Sequence, residues 1–345
     1  EVLRNGGHAV DAAIAVHTVL GLVEPQSSGI GGGGFMVVYD RASDETTVFD
    51  GRETAPSAAD ENLFIENGEV LGFLEAWQSG KSAGVPGAVA LYKSAHDAHG
   101  RMDWASNFEA AIGLAETGFV VSPRLAGVIA NERIRQFTRL DDHPVSAAYF
   151  YPEGVPLAEG AVRDNPDYAE TLRRVATDGT DAFYKGEIPA AIVATLNEAP
   201  RPGSLSVEDI ESYEVKVRPP LCGAWRDYQI CSAPPPSSGG VTQNAIAGLY
   251  DRLLPEDATE PEQKLRAFVD AQRLAVEACA QVHVPVGWRG AKVLRDRDTA
   301  ERHEPEEPDA REELCDLRWA ASGGRSARGV GTQRVAGRQR SRWFR

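Results

Sequence analysis

Ala9, Ala12, Ala13, Val16, Val19 and Leu20 recur at the three- and four-residue steps of a helix. They predict a first helix over roughly residues 9 to 22, buried along one broad face and ended by Pro25. The period then changes. Phe35 to Tyr39 and Thr46 to Phe49 predict two strands joined by a polar turn through Ser43 and Asp44. After a loop-rich stretch, Val85-Pro86-Gly87 opens a helix that continues to about His96. Helical spacing returns from Phe108 to Ile134, interrupted at Gly118 and Pro123, and again from Tyr168 to a glycine stop at Gly179. Tyr149 to Pro156 reads as strand and turn. Ser206-Val-Glu-Asp209 has the form of a capping box opening a short helix toward Tyr213. Alternation around Glu214 to Val217 and Arg226 to Cys231 predicts two further strands. The rigid, then flexible run Pro234 to Gly240 leads into a helix through Ala247 and Leu253. There is no internal repeat.

Between the first helix and the first strand lies a glycine run in which Gly29, Gly31 and Gly34 match G-x-G-x-x-G. That fingerprint holds a dinucleotide only when a strand precedes it and a helix N-terminus follows. Here the helix precedes and the strand follows, so the glycines are read as places of close backbone approach, beside another element or a ligand. The second strand delivers Arg52 into a tight turn between Gly51 and Pro56. A planar guanidinium suits a carboxylate, which it can grip through two parallel N–H···O bonds. The residues alone leave two readings open: a substrate grip, or a brace paired with Asp50 or Glu53.

Six segments occur in order: Asn5-Gly-Gly-His-Ala-Val-Asp-Ala-Ala-Ile-Ala, Ser28-Gly-Ile-Gly-Gly-Gly-Gly-Phe, Gly51-Arg-Glu-Thr-Ala-Pro, Gly84-Val-Pro-Gly, Phe183-Tyr-Lys-Gly and Pro234-Pro-Pro-Ser-Ser-Gly-Gly. Together they resemble the large-subunit portion of the gamma-glutamyltranspeptidases, also called glutathione hydrolases, from the first residues to about Glu277. The resemblance implies an α+β fold, the αββα sandwich of the N-terminal nucleophile hydrolases, represented here by its large-subunit part alone. It implies γ-glutamyl transfer from, and hydrolysis of, glutathione and other γ-glutamyl compounds. In that family a precursor cleaves itself before a threonine, whose hydroxyl becomes the nucleophile and whose α-amine, with a pKa of roughly 8, becomes the base. Glycine N–H groups of the small subunit stabilise the oxyanion. No cofactor or metal is implied.

Residue by residue, the resemblance places the α-carboxylate of the γ-glutamyl group on Arg52 and gives Glu53 a supporting part in orienting it. It places no catalytic residue in this chain. The family's nucleophile sits in a Thr-Thr-His-like segment beyond the Pro-Pro-Ser-Ser-Gly-Gly motif, whereas the only threonine after Thr299 is Thr332, in Gly-Thr-Gln-Arg. The small-subunit half is therefore expected to be missing and the chain inactive alone. The alternatives are a non-catalytic truncated remnant, or the related scaffold of an acylase or poly-γ-glutamate transferase.

The formal charge of −15 argues against nucleic acid and anionic membranes as partners. No apolar run approaches the ~20 residues of a membrane span, and compartment is left undetermined. Of four cysteines, Cys222 and Cys231 flank a predicted hairpin and could face each other across it; because spacing alone sets no disulfide geometry, buried free thiols are the favoured reading. His96 and His99, three apart beside Asp97 and Gly100, are read as surface histidines and not a metal pair. Composition shifts near the end: Leu317 to Arg345 holds eight arginines and no lysine, aspartate or glutamate. Apolar periodicity stops after about Val286. The expected division is thus a family-like region over 1–285 and a tail over 286–345 of unrelated character, disordered or frame-shifted.

Overall fold

The computed structural model describes residues 1–282, with side chains through Glu277. The tail from residue 286, and the division placed before it, lie outside the described residues.

Helix α1 (Ala9–Val23) begins where a ring and a carboxylate satisfy its free N–H groups: the His8 imidazole accepts from Val10 N, and the Asp11 carboxylate accepts from His8 N at 2.7 Å. It buries Val10, Ile14, Thr18 and Leu22, four apart, as one stripe. Strands β1 (Gly34–Asp40) and β2 (Glu45–Gly51) pair antiparallel from Gly34↔Gly51 to Asp40↔Glu45. The third strand of this sheet, β3 (Lys216–Arg218), comes from far down the chain and pairs antiparallel with β2.

Pleating divides the sheet's residues. Met36, Val38 and Phe49 turn toward helix α2 (Ala88–His99), where Val89, Leu91, Tyr92 and Ala95 join α1 in the main core. Val37 and Tyr39, on the other face, are exposed. A second cluster gathers Leu22, Phe119, Val121, Leu125, Ile129 and Tyr151 around helices Glu109–Thr117 and Pro123–Ala130. Helix α3 (Pro166–Asp178) contributes to both clusters, through Leu172 and Val175 to the first and Ala169 to the second.

Three expectations are corrected. Tyr149 to Pro156 is not a strand: helix Pro144–Phe150 ends there and a single 3-10 turn, Pro152–Gly154, follows. Pro144 starts that helix at a position where its missing N–H costs nothing. Its aromatic end is packed from elsewhere, with Tyr151 donating to the Ile129 carbonyl at 3.1 Å and Arg163 lying 4.4 Å over the Tyr149 ring. His96 and His99 are not free surface groups. His96 Nε2 lies 2.9 Å from the Met102 carbonyl and 3.5 Å from the fully buried Asp11, and the His99 ring stacks on His8.

Cys222 and Cys231 are not free thiols: they form a disulfide. Strands β4 (Leu221–Trp225) and β5 (Tyr228–Ser232) make a hairpin whose register sets these two cysteines directly opposite each other, so their sulfurs meet. The hairpin leads through a cis Pro235–Pro236 peptide into helix α4 (Gly239–Leu253), which packs with helix α5 (Pro261–Val282). No helix of the described residues is long and apolar enough to cross a membrane.

Candidate functional site

The site is built on three strands of backbone that approach too closely for side chains. The Gly32 carbonyl accepts from both Gly87 N and Ala88 N at 2.9 Å, docking the glycine run against the start of α2. A Cβ on Gly33 would lie 2.9 Å from Glu53 N and collide with the Gly51 carbonyl; one on Gly87 would strike the Gly51 carbonyl and the Tyr213 hydroxyl. Gly32 and Gly33 thus serve close backbone packing, in a run with a helix before it and a strand after it.

These contacts fix the turn that carries Arg52. Asp50, at the end of β2 and only 5% exposed, accepts from Arg52 N at 3.1 Å through one oxygen and from Arg218 Nε at 2.6 Å through the other. Tyr213 donates its hydroxyl to the Arg52 carbonyl at 2.8 Å and stacks on Tyr184. Tyr184 in turn donates to the Pro86 carbonyl at 2.9 Å and accepts from Ala90 N, pinning the start of α2. Thr54 bridges Val85. Beyond the turn, Ser57 N donates to Asp209, whose carboxylate also closes the capping box with Ser206.

The Arg52 backbone is therefore held on both sides while its side chain is 56% exposed. Its Nε lies 3.4 Å from Glu53 Oε2. Arg52 and Glu53 line a cleft of about 80 Å³ whose walls also include Tyr213, Lys216, Arg218 and Pro236. A second concavity of about 360 Å³, lined by His17, Ser27, Ser28 and the glycine run, lies on the other side of Glu53.

The electrostatics follow the burial. Desolvation, helped by the negative charges of Asp50 and Glu53, pushes the Tyr213 hydroxyl up to about 12, so it stays a donor at any ordinary pH. Burial lowers the pKa of His17, which faces the Tyr92 hydroxyl, and so favours its neutral form. Burial works against the charge of Asp209, but hydrogen bonds from Ser206 and Ser57 outweigh it and bring that carboxyl down to about 2.

Of the two residues singled out from sequence, Arg52 and Glu53, both line the cleft. The brace to Asp50 belongs to Arg218, whereas the Arg52 side chain has the pairing with Glu53 that the brace reading also allowed. Tyr213 and Arg218 were not singled out. Tyr213 carried a weak signal as the aromatic that follows a capped helix; Arg218 carried none, because its partner lies 168 residues away.

The gamma-glutamyltranspeptidase family model matches residues 1–289. The glutathione hydrolase proenzyme of Bacillus subtilis strain 168 is 38% identical over 242 residues, covering 70% of this chain and 40% of the relative. The chain thus spans about 40% of the length of the curated relatives it matches. Among solved structures, gamma-glutamyltranspeptidase of Helicobacter pylori superposes with a TM-score of 0.73 at 33% identity, covering 81% of this chain and 78% of that one. Cephalosporin acylase of Bacillus halodurans superposes with a TM-score of 0.70 at 26% identity, covering 81% and 51%. The mixed helix-and-sheet architecture is that of the N-terminal nucleophile hydrolases, and the chain belongs to the gamma-glutamyltranspeptidase family.

Proposed function

We propose that this chain carries the γ-glutamyl-recognising part of an enzyme that transfers the γ-glutamyl group of glutathione and related amides to an amino acid or to water. The observation behind this reading is the Arg52 turn: a backbone held by Asp50 and Tyr213, and a half-exposed arginine side chain lining a cleft. In this reading Arg52 grips the α-carboxylate of the γ-glutamyl group through two parallel bonds, and Glu53 orients the fork.

The nucleophile is a threonine from outside these 345 residues, none of whose threonines stands in a Thr-Thr-His segment. Its hydroxyl attacks the γ-amide carbonyl while its own α-amine takes the proton. The proton passes to the departing amine, and the acyl-enzyme goes on to water or an amino acid. The purified chain alone accordingly releases no p-nitroaniline from γ-glutamyl-p-nitroanilide. Threonine-dependent turnover by it would overturn this reading.

A second reading, an acylase, draws on the likeness to the cephalosporin acylase. A complete enzyme containing this chain that preferred a glutaryl amide over γ-glutamyl-p-nitroanilide would favour it. A third, a translated but inactive remnant, draws on the arginine-rich change of composition. Reading the nucleotides downstream of codon 278 in all three frames tests it, since a Thr-Thr-His segment in another frame supports a shifted frame.

A further inference from the structure

The Cys222–Cys231 disulfide is placed where a structural staple would be least protected. Cys222 is exposed and Cys231 half-buried. The strands it joins pair only with each other among the described residues, and a lone two-stranded hairpin is marginally stable in water. Closing the loop between positions 222 and 231 covalently supplies the order that pairing alone does not.

Both ends of this hairpin run into the Arg52 cleft. On the entry side, Arg218 and β4 are separated only by Pro219 and Pro220, and Arg218 is the residue that holds Asp50. On the exit side, Ser232 is followed within four residues by Pro236, which lines the cleft. Gly223 sits against the Asn244 side chain, so the hairpin also seats helix α4. Whatever loosens the hairpin acts on two walls of the cleft together.

We propose that Cys222–Cys231 is a thiol-exchange site, opened by a low-molecular-weight thiol, and that its opening loosens the Arg218 and Pro236 walls of the Arg52 cleft. A thiolate attacks Sγ of Cys222, the more exposed residue of the pair; the S–S bond breaks and Cys231 leaves as a thiolate that takes a proton from water. A second thiolate attacks the outer sulfur of the mixed disulfide, releasing the oxidised small thiol and the Cys222 thiolate. Two electrons pass from two small thiols to the protein disulfide. Exposure makes such a bond more labile than the buried kind.

The test uses the full chain carrying Cys279→Ser and Cys315→Ser, which confines thiol chemistry to the pair. Graded mixtures of 2-mercaptoethanol and its disulfide serve as probe. They carry no γ-glutamyl group, so the outcome is independent of the proposed substrate. The expected result is reduction without denaturant, with a mixed disulfide trapped by acid on Cys222. Hydrogen exchange at 216–218 and 237–240 should then rise about tenfold, while helix Glu109–Thr117 is unchanged. The Cys222→Ser/Cys231→Ser chain should show the faster exchange without any thiol, and if it fails to fold, the reduced and alkylated chain gives the same reading. A bond that opens only in denaturant overturns the exchange site. A bond that opens while both segments exchange as before overturns the coupling.

Discussion

Arg52 and Lys216 line one cleft, yet only the arginine sits in a turn whose backbone is clamped from two sides. That asymmetry gives substitutions a direction. In the complete enzyme, Arg52→Ala and Arg52→Lys should both impair γ-glutamyl turnover, because lysine keeps the charge and loses the planar fork. A charge-assisted bond contributes roughly 1.5–3 kcal/mol, or about ten- to a hundred-fold in kcat/KM. Folding and self-cleavage should persist; their loss, with substrate affinity intact in the matured fraction, would make the arginine a brace. Asp209 offers a separate test through pH. Its folded pKa, about 2, lies below the ordinary 3.8, so its stabilising contribution is present above 3.8 and disappears as pH falls toward 2. Asp209→Asn should therefore flatten the acid side of the stability–pH curve between about pH 4 and 2, as followed by urea unfolding.

At the scale of elements, neighbouring glycines in one run have unequal parts. Gly33 faces the Gly51 carbonyl and Glu53 N, backbone groups that cannot swing aside, while Gly34 has no atom within 4 Å of the place a Cβ would take. Gly33→Ala should cost about 1–3 kcal/mol by overpacking, measured as a fall in the denaturant midpoint. Gly34→Ala should be close to neutral, and equal losses from the two would remove the packing account of the run. The order helix–glycines–strand, α1 and the β1–β2 hairpin were legible from period, and the Ser206 cap from its capping-box residues. The helix Pro144–Phe150 was not, because Tyr149, Phe150 and Tyr151 have strand-like propensity and their conformation is decided by the residues they pack against.

For the whole molecule, the described residues supply one three-stranded sheet with helices against one face and exposed Val37 and Tyr39 on the other. The family's chemistry, as proposed, needs a threonine from elsewhere. Incubating the purified chain and following it on a denaturing gel should show a single undivided species over time. Appearance of two fragments split before a threonine would place a nucleophile within these residues and overturn the proposal.

Local periodicity and six short motifs were enough to establish α1, the β1–β2 hairpin, the turn that presents Arg52 and Glu53, and the family resemblance, because each depends on residues within a few positions of one another. What only the tertiary structure decided depends on residues brought together from far apart. Arg218 reaches Asp50 across 168 positions, and Tyr213 reaches the Arg52 carbonyl across 161. The histidines at 96 and 99 are drawn in by α1, and the hairpin register joins Cys222 to Cys231. A pattern of apolar spacing records which face of an element is buried; it carries no record of which distant side chain meets that face, and that pairing decides that Arg218, not Arg52, braces Asp50.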